Sequence, residues 1–262
     1  MTNTLYDRIG NDYDITRTAD QEILERLKAY LNFPPEGLYL DVACGSGNYT
    51  IAMAEQGYHL YGVDVSEKML NLAKRKSPPS VQWFLHDATA MPFADGSFSG
   101  AVCVCAIHHF SDLVAVFQEI FRVLRKGKFV IFSGTADQMH HYWLNHYFPE
   151  AMAKSIQQMP SVASITSALE RAGFSKVVLE PFFVTDALKD MFLYSGKQRP
   201  HLYLDPNVRA GISTFASLAT DAEIHDGCRR LSDDLESGAI KRVIEKYDNA
   251  GGDYMFIVAE KA

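Results

Sequence analysis

An α/β fold built on a doubly wound, mostly parallel sheet of seven strands, with helical cap insertions, is predicted by three observations. Short apolar runs alternate with amphipathic stretches from Leu38 to Ser133. A glycine turn, Gly45-Ser46-Gly47, follows the first run only. Aspartates close the first three units, at Asp41, Asp64 and Asp87. Strands that alternate with helices pair in parallel, because each crossover returns the chain to the same end of the sheet. Carboxylates placed one βα unit apart then share one edge, where open α/β sheets bind nucleotide-like ligands.

The elements follow in order. Residues 19–33 carry Ile23, Leu24, Leu27, Tyr30 and Leu31 at helical spacing, and Pro34-Pro35 ends that helix. Strand one is 38–42. The next helix, 49–56, stops at Gly57, a favoured residue just past a helix end. Strand two, 59–65, leads to Ser66, whose hydroxyl suits a helix cap. That helix runs to Lys76, and Ser77-Pro78-Pro79-Ser80 breaks it. Strand three is 81–86, and a turn at Ala94-Asp95-Gly96-Ser97 precedes strand four, 100–105. Ser111 is expected to cap an amphipathic helix to Lys126, ended by Gly127, with strand five at 129–133. The pattern then changes. Residues 136–159 read as irregular helix, rich in aromatics and histidine and broken by Pro149. A conventional helix at 164–172 ends at Gly173, and 176–184 is a strand. Residues 186–248 read as mostly helical, with a proline-punctuated loop at 198–206, before a final strand at 254–259. The chain therefore divides into an N-terminal segment and first half of the core (1–135), a helical cap insertion (136–160), a core helix and strand (161–185), a second cap insertion (186–250) and a final core strand (251–262). The insertions are expected to pack over the ligand edge.

The chain has 262 residues, of which 47% are apolar, enough for a substantial core. A net charge of −7 argues against a general nucleic-acid binder, which needs a basic face to meet phosphates. No apolar run approaches the roughly 20 residues that span a bilayer. Met1 to Arg8 lacks the apolar core of a signal peptide, so a cytoplasmic location is expected. Cys44, Cys103, Cys105 and Cys228 form no C-x-x-C pair and read as small apolar residues in a reducing compartment. Cys44, inside the glycine turn, is expected to fill space against the ligand.

The flanks of the glycine turn narrow the ligand. A dinucleotide fingerprint asks for a third glycine or alanine where this chain has Thr50. Asp41, upstream of the glycines, would gain nothing from a pyrophosphate, but it suits a cationic or zwitterionic ligand without phosphates. With these residues in place, residues 38–134 resemble the Rossmann-like class I S-adenosylmethionine-dependent methyltransferases, and within them the small-molecule branch related to ubiquinone and menaquinone methyltransferases. The resemblance implies that Asp41, Ala43, Gly45 and Gly47 hold the aminoacyl end of S-adenosylmethionine. It implies that Asp64 accepts both ribose hydroxyls, a spacing that one carboxylate meets, with Val65 and Met69 against the adenine. Asp87 would read the adenine amino group, beside the Ala88 N–H, and Cys105 and Ala106 would flank the methionine moiety. The segment from Tyr6 to Arg17 resembles the family's N-terminal segment, in which Arg17 would pair with the cofactor carboxylate and Tyr13 would close the pocket.

The residues after strand four, Cys105-Ala106-Ile107-His108-His109-Phe110, are expected to face the methyl acceptor. They lack the Asn-Pro-Pro-Tyr pattern of amino methyltransferases acting on planar bases, and they lack an aspartate for a metal, so no magnesium is implied. His108 or His109 is the expected general base; the other reading is a cap or core histidine bonded to backbone. The run from His140 to Phe148 matches no standard zinc spacing and reads first as packing of the cap, second as an aromatic acceptor pocket. Arg199, His201, Tyr203 and Arg209 suit either an anionic acceptor or ordinary cap structure. The expected protein is a methyltransferase, monomeric or homodimeric, that acts on a small molecule under the cap and leaves S-adenosylhomocysteine. A non-catalytic binder of the same cofactor and a nicotinamide-dependent oxidoreductase are the alternatives.

Overall fold

Strands β1 (Leu38–Val42), β2 (His59–Asp64), β3 (Gln82–Leu85), β4 (Phe98–Val104), β5 (Leu124–Ser133), β6 (Lys176–Phe182) and β7 (Tyr254–Lys261) form one sheet. A computed structural model describes residues 13–32, 36–247 and 250–262. The strand order is β3-β2-β1-β4-β5-β7-β6. Strands β1 to β5 pair in parallel, while β7 lies antiparallel between β5 and β6. This is the expected doubly wound, mostly parallel α/β sheet. Its winding reverses between β1 and β4, where Asp41 sits level with Gly62 on one side and Val102 on the other.

Helices α1 (Gln21–Leu31), α2 (Asn48–Ala54), α3 (Glu67–Lys76), α4 (Leu113–Val123), α5 (Pro149–Gln158), α6 (Val162–Ala172) and α7 (Asp221–Ser237) flank or extend the sheet. On one face Ile23, Leu24 and Leu27 of α1 share a core with Val130 and Phe132 of β5 and with the chain that follows β5. On the other, Phe117 and Ile120 of α4 and Ile165 and Leu169 of α6 cover Leu40, Ala101 and Ile131. Ser66 accepts from the Met69 N–H at 3.2 Å, the expected cap of α3.

Several boundaries differ from expectation, each for a physical reason. Helix α1 starts at Gln21 because the Asp20 carboxylate accepts from the Glu22 and Ile23 N–H groups. Its proposed stop at Pro34-Pro35 lies outside the described residues. Asp112, not Ser111, caps α4, accepting from the Ala115 N–H at 3.0 Å. That helix ends at Val123, because Leu124 pairs with Phe98 and begins β5. Gly127 therefore ends no helix. It lies in the strand at φ +135°, where a Cβ would stand 2.2 Å from the Ser99 carbonyl oxygen. Pro149 does not break a helix but opens α5, a position that needs no N–H donor. Residues 186–199 hold no helix, and the helical pieces start at Pro200–Leu204.

The two stretches flanking β6 hold each other. Tyr142 stacks on Tyr194 at 3.9 Å, and its hydroxyl bonds that of Tyr203. The Trp143 indole N–H donates to the Lys197 carbonyl at 3.2 Å, and Glu223 accepts from the N–H groups of Glu150 and Ala151. Tyr142, Trp143, Tyr147 and Phe148 are all core residues, while His140 and His141 face solvent. No described helix is long and apolar enough to cross a membrane.

Candidate functional site

At the winding reversal, the ends of β1 and β4 splay apart and the chain takes a tight course. Ala43 and Cys105, just past the two strand ends, adopt φ +56° and +53°. The left-handed region costs a residue with a side chain about 1–2 kcal/mol, and such outliers cluster at ligand sites. Gly45 and Gly47 join them at φ +56° and +76°. Gly45 faces the opening. Gly47 does not: a Cβ there would stand 2.3 Å from the Trp83 ring, so this glycine seats the turn on β3 and lines no cavity.

The opening is a cavity of about 450 Å³, within the size range of small-ligand pockets. Arg17, Asp41, Ala43, Gly45, Asp64, Val65, Met69, Asp87, Ala88, Cys105, Ala106 and His109 line it, so the geometry gathers nearly all the residues singled out from sequence. Residues 1–12 and the Tyr13 side chain lie outside the described residues, and with them the expected closure by Tyr13.

The carboxylates are held differently. Asp64 accepts from the Gly45 N–H and the Ser66 N–H, one on each oxygen, both at 2.8 Å. It thereby ties the glycine turn to the start of α3. Asp41 is buried and accepts from the Thr50 hydroxyl at 2.5 Å. Burial, opposed by that hydrogen bond and reinforced by nearby Asp64, raises its pKa to about 7. Thr50 thus has a task of its own where a dinucleotide site would need glycine. Asp87 is exposed, and one of its oxygens accepts from the Thr89 N–H and hydroxyl, which lowers its pKa. Burial pushes the Cys105 thiol up to about 12, which leaves it a neutral wall.

Two partners of this site carry no local sequence signal. Asp190, in the irregular stretch after β6, receives the Arg17 Nε at 2.5 Å and Nη2 at 3.3 Å, and the Tyr49 hydroxyl at 3.2 Å. The single helical turn Tyr13–Thr16 is pinned below: Asp14 accepts from Ser46 of the glycine turn at 2.6 Å and pairs with Lys76 at 2.8 Å.

A second cavity, about 60 Å³, lies under the segments that follow β5 and β6. Arg17 and Cys105 line both cavities, so these two side chains form the partition. His108 and His109, in the single turn Ile107–His109 after β4, have ring centroids 3.9 Å apart, tilted by 46°, yet face different spaces. His109 stands at the exposed rim of the large cavity, and His108 lines the small one. Desolvation lowers His108 to about 3. This ring is neutral at pH 7. The His108 Nδ1 is buried with no hydrogen-bond partner, so this ring is not the backbone-bonded histidine of the alternative reading.

The basic group expected for an anionic acceptor is employed elsewhere. Arg199 donates to the carbonyls of Leu188 and Ser195, and Arg209 to that of Tyr203, which is itself buried. None of the four, His201 included, lines either cavity.

Comparison with known proteins bears on this geometry. Residues 40–132 match the family described as "Methyltransferase domain". The crystal structure of a presumptive methyltransferase from an antibiotic biosynthesis pathway of Anabaena variabilis is 32% identical, with a TM-score of 0.84 over 93% of this chain and 98% of that one. A demethylmenaquinone methyltransferase of Mycobacterium sp. is 27% identical over 199 residues, 66% of this chain and 85% of that protein. A presumptive methyltransferase of Bacillus subtilis, YqeM, is 32% identical over 107 residues, 38% of this chain and only 43% of that protein.

Proposed function

Because the chain belongs to the class I S-adenosylmethionine-dependent methyltransferases, we propose that it methylates a small molecule whose reacting end enters the smaller cavity, across the partition formed by Arg17 and Cys105. The observation that carries this reading is the charge of the larger cavity. Asp41, Asp64 and Asp87 line it, and Arg17, its one arginine among the described residues, is already paired with Asp190. A dinucleotide would bring two phosphates against these carboxylates. A nucleoside ending in an ammonium meets them favourably, which also sets the oxidoreductase alternative aside.

The residues divide the ligand between them. Asp64, fixed by the Gly45 and Ser66 N–H groups, offers its two oxygens to the two ribose hydroxyls. Val65 and Met69 offer apolar surface to the adenine, and Asp87 accepts from its amino group beside the Ala88 N–H. Asp41 takes the ammonium, and Arg17, oriented by Asp190, takes the carboxylate. Gly45 admits close backbone approach, Gly47 seats the turn on Trp83, and Cys105 and Ala106 flank the methionine chain.

S-adenosylmethionine supplies a methyl group already activated by its sulfonium. The protein's share is then alignment and exclusion of water, which in favourable cases is worth about 7–11 kcal/mol. Neutral His108 stands on the acceptor side and is the group placed to receive a proton there; His109 serves the rim. The stretches flanking β6 close the acceptor side, which suits an enclosed small molecule better than a polymer. The test is a titration of the purified protein with S-adenosylhomocysteine and, separately, NAD, followed by calorimetry and melting temperature. Binding of the first alone is expected. Binding of NAD with no response to the homocysteine nucleoside would overturn the reading.

A further inference from the structure

The smaller cavity specifies the chemistry of what enters it. Its polar groups are His108, Tyr254, Ser133, Ser155, Ser213 and Thr214, and no carboxylate of the described residues lines it. Among the described residues its single charged group is Arg17, whose guanidinium is compensated by Asp190 through two contacts. Ser155 and Thr214 satisfy each other at 2.9 Å. His108 is different. Its side chain makes no hydrogen bond to any described residue, and its Nδ1 is buried. Orphaned polar atoms of this kind are rare in folded proteins and ask for an explanation. The Tyr254 hydroxyl is likewise unbonded among the described residues, while its ring is fixed by stacking on Phe132 at 5.1 Å and against Phe192 at 4.6 Å.

We infer that the small cavity binds the reacting end of the acceptor as a neutral hydroxyl, an alcohol or a phenol, held by the His108 imidazole. This deepens the proposed methyltransferase site and rests on it. A neutral imidazole presents one N–H and one lone pair, and a hydroxyl complements both. A carboxylate or phosphate head would have to compete with the cofactor carboxylate for Arg17, the one cation that lines the cavity among the described residues and one already shared with Asp190. An ammonium would need a carboxylate, and none of the described residues brings one to the cavity. Size agrees with a head group rather than a whole molecule. About 60 Å³ is well below the roughly 300–1,000 Å³ of pockets that enclose a whole small molecule. The remainder of the acceptor must displace the wall of Met139, Met159 and Leu193, and methionine is the side chain that yields most easily.

The test uses the full chain, labelled with ¹⁵N at histidine and saturated with S-adenosylhomocysteine. Three probes share one ring and differ in head charge: phenol, benzoate and benzylamine, all at pH 7. Phenol is expected to move the His108 ring nitrogens and to saturate, while benzoate and benzylamine leave them unmoved at tenfold higher concentration. His108→Phe is expected to weaken phenol binding at least tenfold, with melting temperature and S-adenosylhomocysteine affinity retained as proof of folding. A charged probe that saturates before phenol overturns the inference, as does phenol that leaves His108 unmoved or binds His108→Phe equally well. Failure of S-adenosylhomocysteine itself to bind is a different result and overturns the cofactor-site reading beneath it.

Discussion

The two cavities that meet at Arg17 and Cys105 are made of different materials. The larger is a product of the sheet: carboxylates at successive strand ends, one glycine, and two residues with side chains held in left-handed conformation where β1 and β4 part. The smaller is a product of the chain added around β6, lined by hydroxyls, methionines and one unpaired imidazole, with no net charge. The difference teaches how labour is divided. The sheet side fixes a ligand that carries charge and many hydrogen-bonding groups, and the added side selects a reactant by shape and one polar contact. Perturbing the charged side should therefore change affinity steeply, and perturbing the pair at the partition should change stability.

The steepest response is expected at Asp64. Asp64→Ala removes the acceptor for the Gly45 and Ser66 N–H groups and for the proposed ribose diol together. Hydrogen bonds to a charged group are worth about 1.5–3 kcal/mol each, so losing two from the ligand should weaken S-adenosylhomocysteine by about 10²–10⁴-fold in calorimetry. A loss below tenfold would remove Asp64 from the ribose role and leave it as a turn tether.

The partition comes next. The Arg17 and Asp190 side chains are 12% and 2% exposed, and removing one partner of a buried pair costs about 3–5 kcal/mol. Asp190→Ala should lower the melting temperature by roughly 6 °C or more at about 2–4 °C per kcal/mol. An Arg17→Met, Asp190→Leu double variant should recover over half of that loss while still binding the cofactor poorly. If the double variant melts no higher than the single one, the pair is not a compensated ion pair, and the neutrality of the small cavity loses its basis.

Legibility in the sequence follows the same division. Strand β1 was readable to its ends and α3 to its cap, because an apolar run, a glycine and a serine act on residues within one turn of themselves. Asp64 and Asp87 were readable because the βα repeat forces them to one edge. Asp190 was not: its partner Arg17 is 173 positions away, and nothing in its neighbourhood marks it. Gly127 was misread because a glycine past a helix and a glycine under a neighbouring carbonyl look alike until Ser99 is in place. The pair His108-His109 suggested one role, yet a single helical turn sends the two rings to different cavities.

A smaller effect is expected from pH, and its sign separates the empty from the liganded protein. Asp41 has a pKa near 7, raised by burial, against 3.8 for the free group. The folded state thus holds the proton more tightly than the unfolded state. The stabilisation is complete below about pH 4 and is lost as pH rises through 7. An ammonium needs the opposite form, so affinity for S-adenosylhomocysteine should rise from pH 6 to 8, by at most tenfold per pH unit, and then level off. Asp41→Asn should flatten both curves. Affinity that stays constant over this range in the unmodified protein would place the ammonium away from Asp41.

The finest test concerns Asp87, at the exposed end of the larger cavity. One of its oxygens already serves the Thr89 N–H and hydroxyl, and those two bonds keep the carboxylate ionised. An ionised carboxylate only accepts, so it favours an amino group and repels a carbonyl oxygen at the same place. S-inosylhomocysteine differs from S-adenosylhomocysteine at that position, carrying the oxygen. Being solvated, the contact should be worth only about 1–1.5 kcal/mol, so the unmodified protein should prefer the adenosyl form by roughly tenfold. Asn in place of Asp can turn its NH₂ to the oxygen, and Asp87→Asn should bring the preference below about threefold while costing the adenosyl form little. An unchanged preference would mean that the adenine is read elsewhere, by the Ala88 backbone or by shape against Met69.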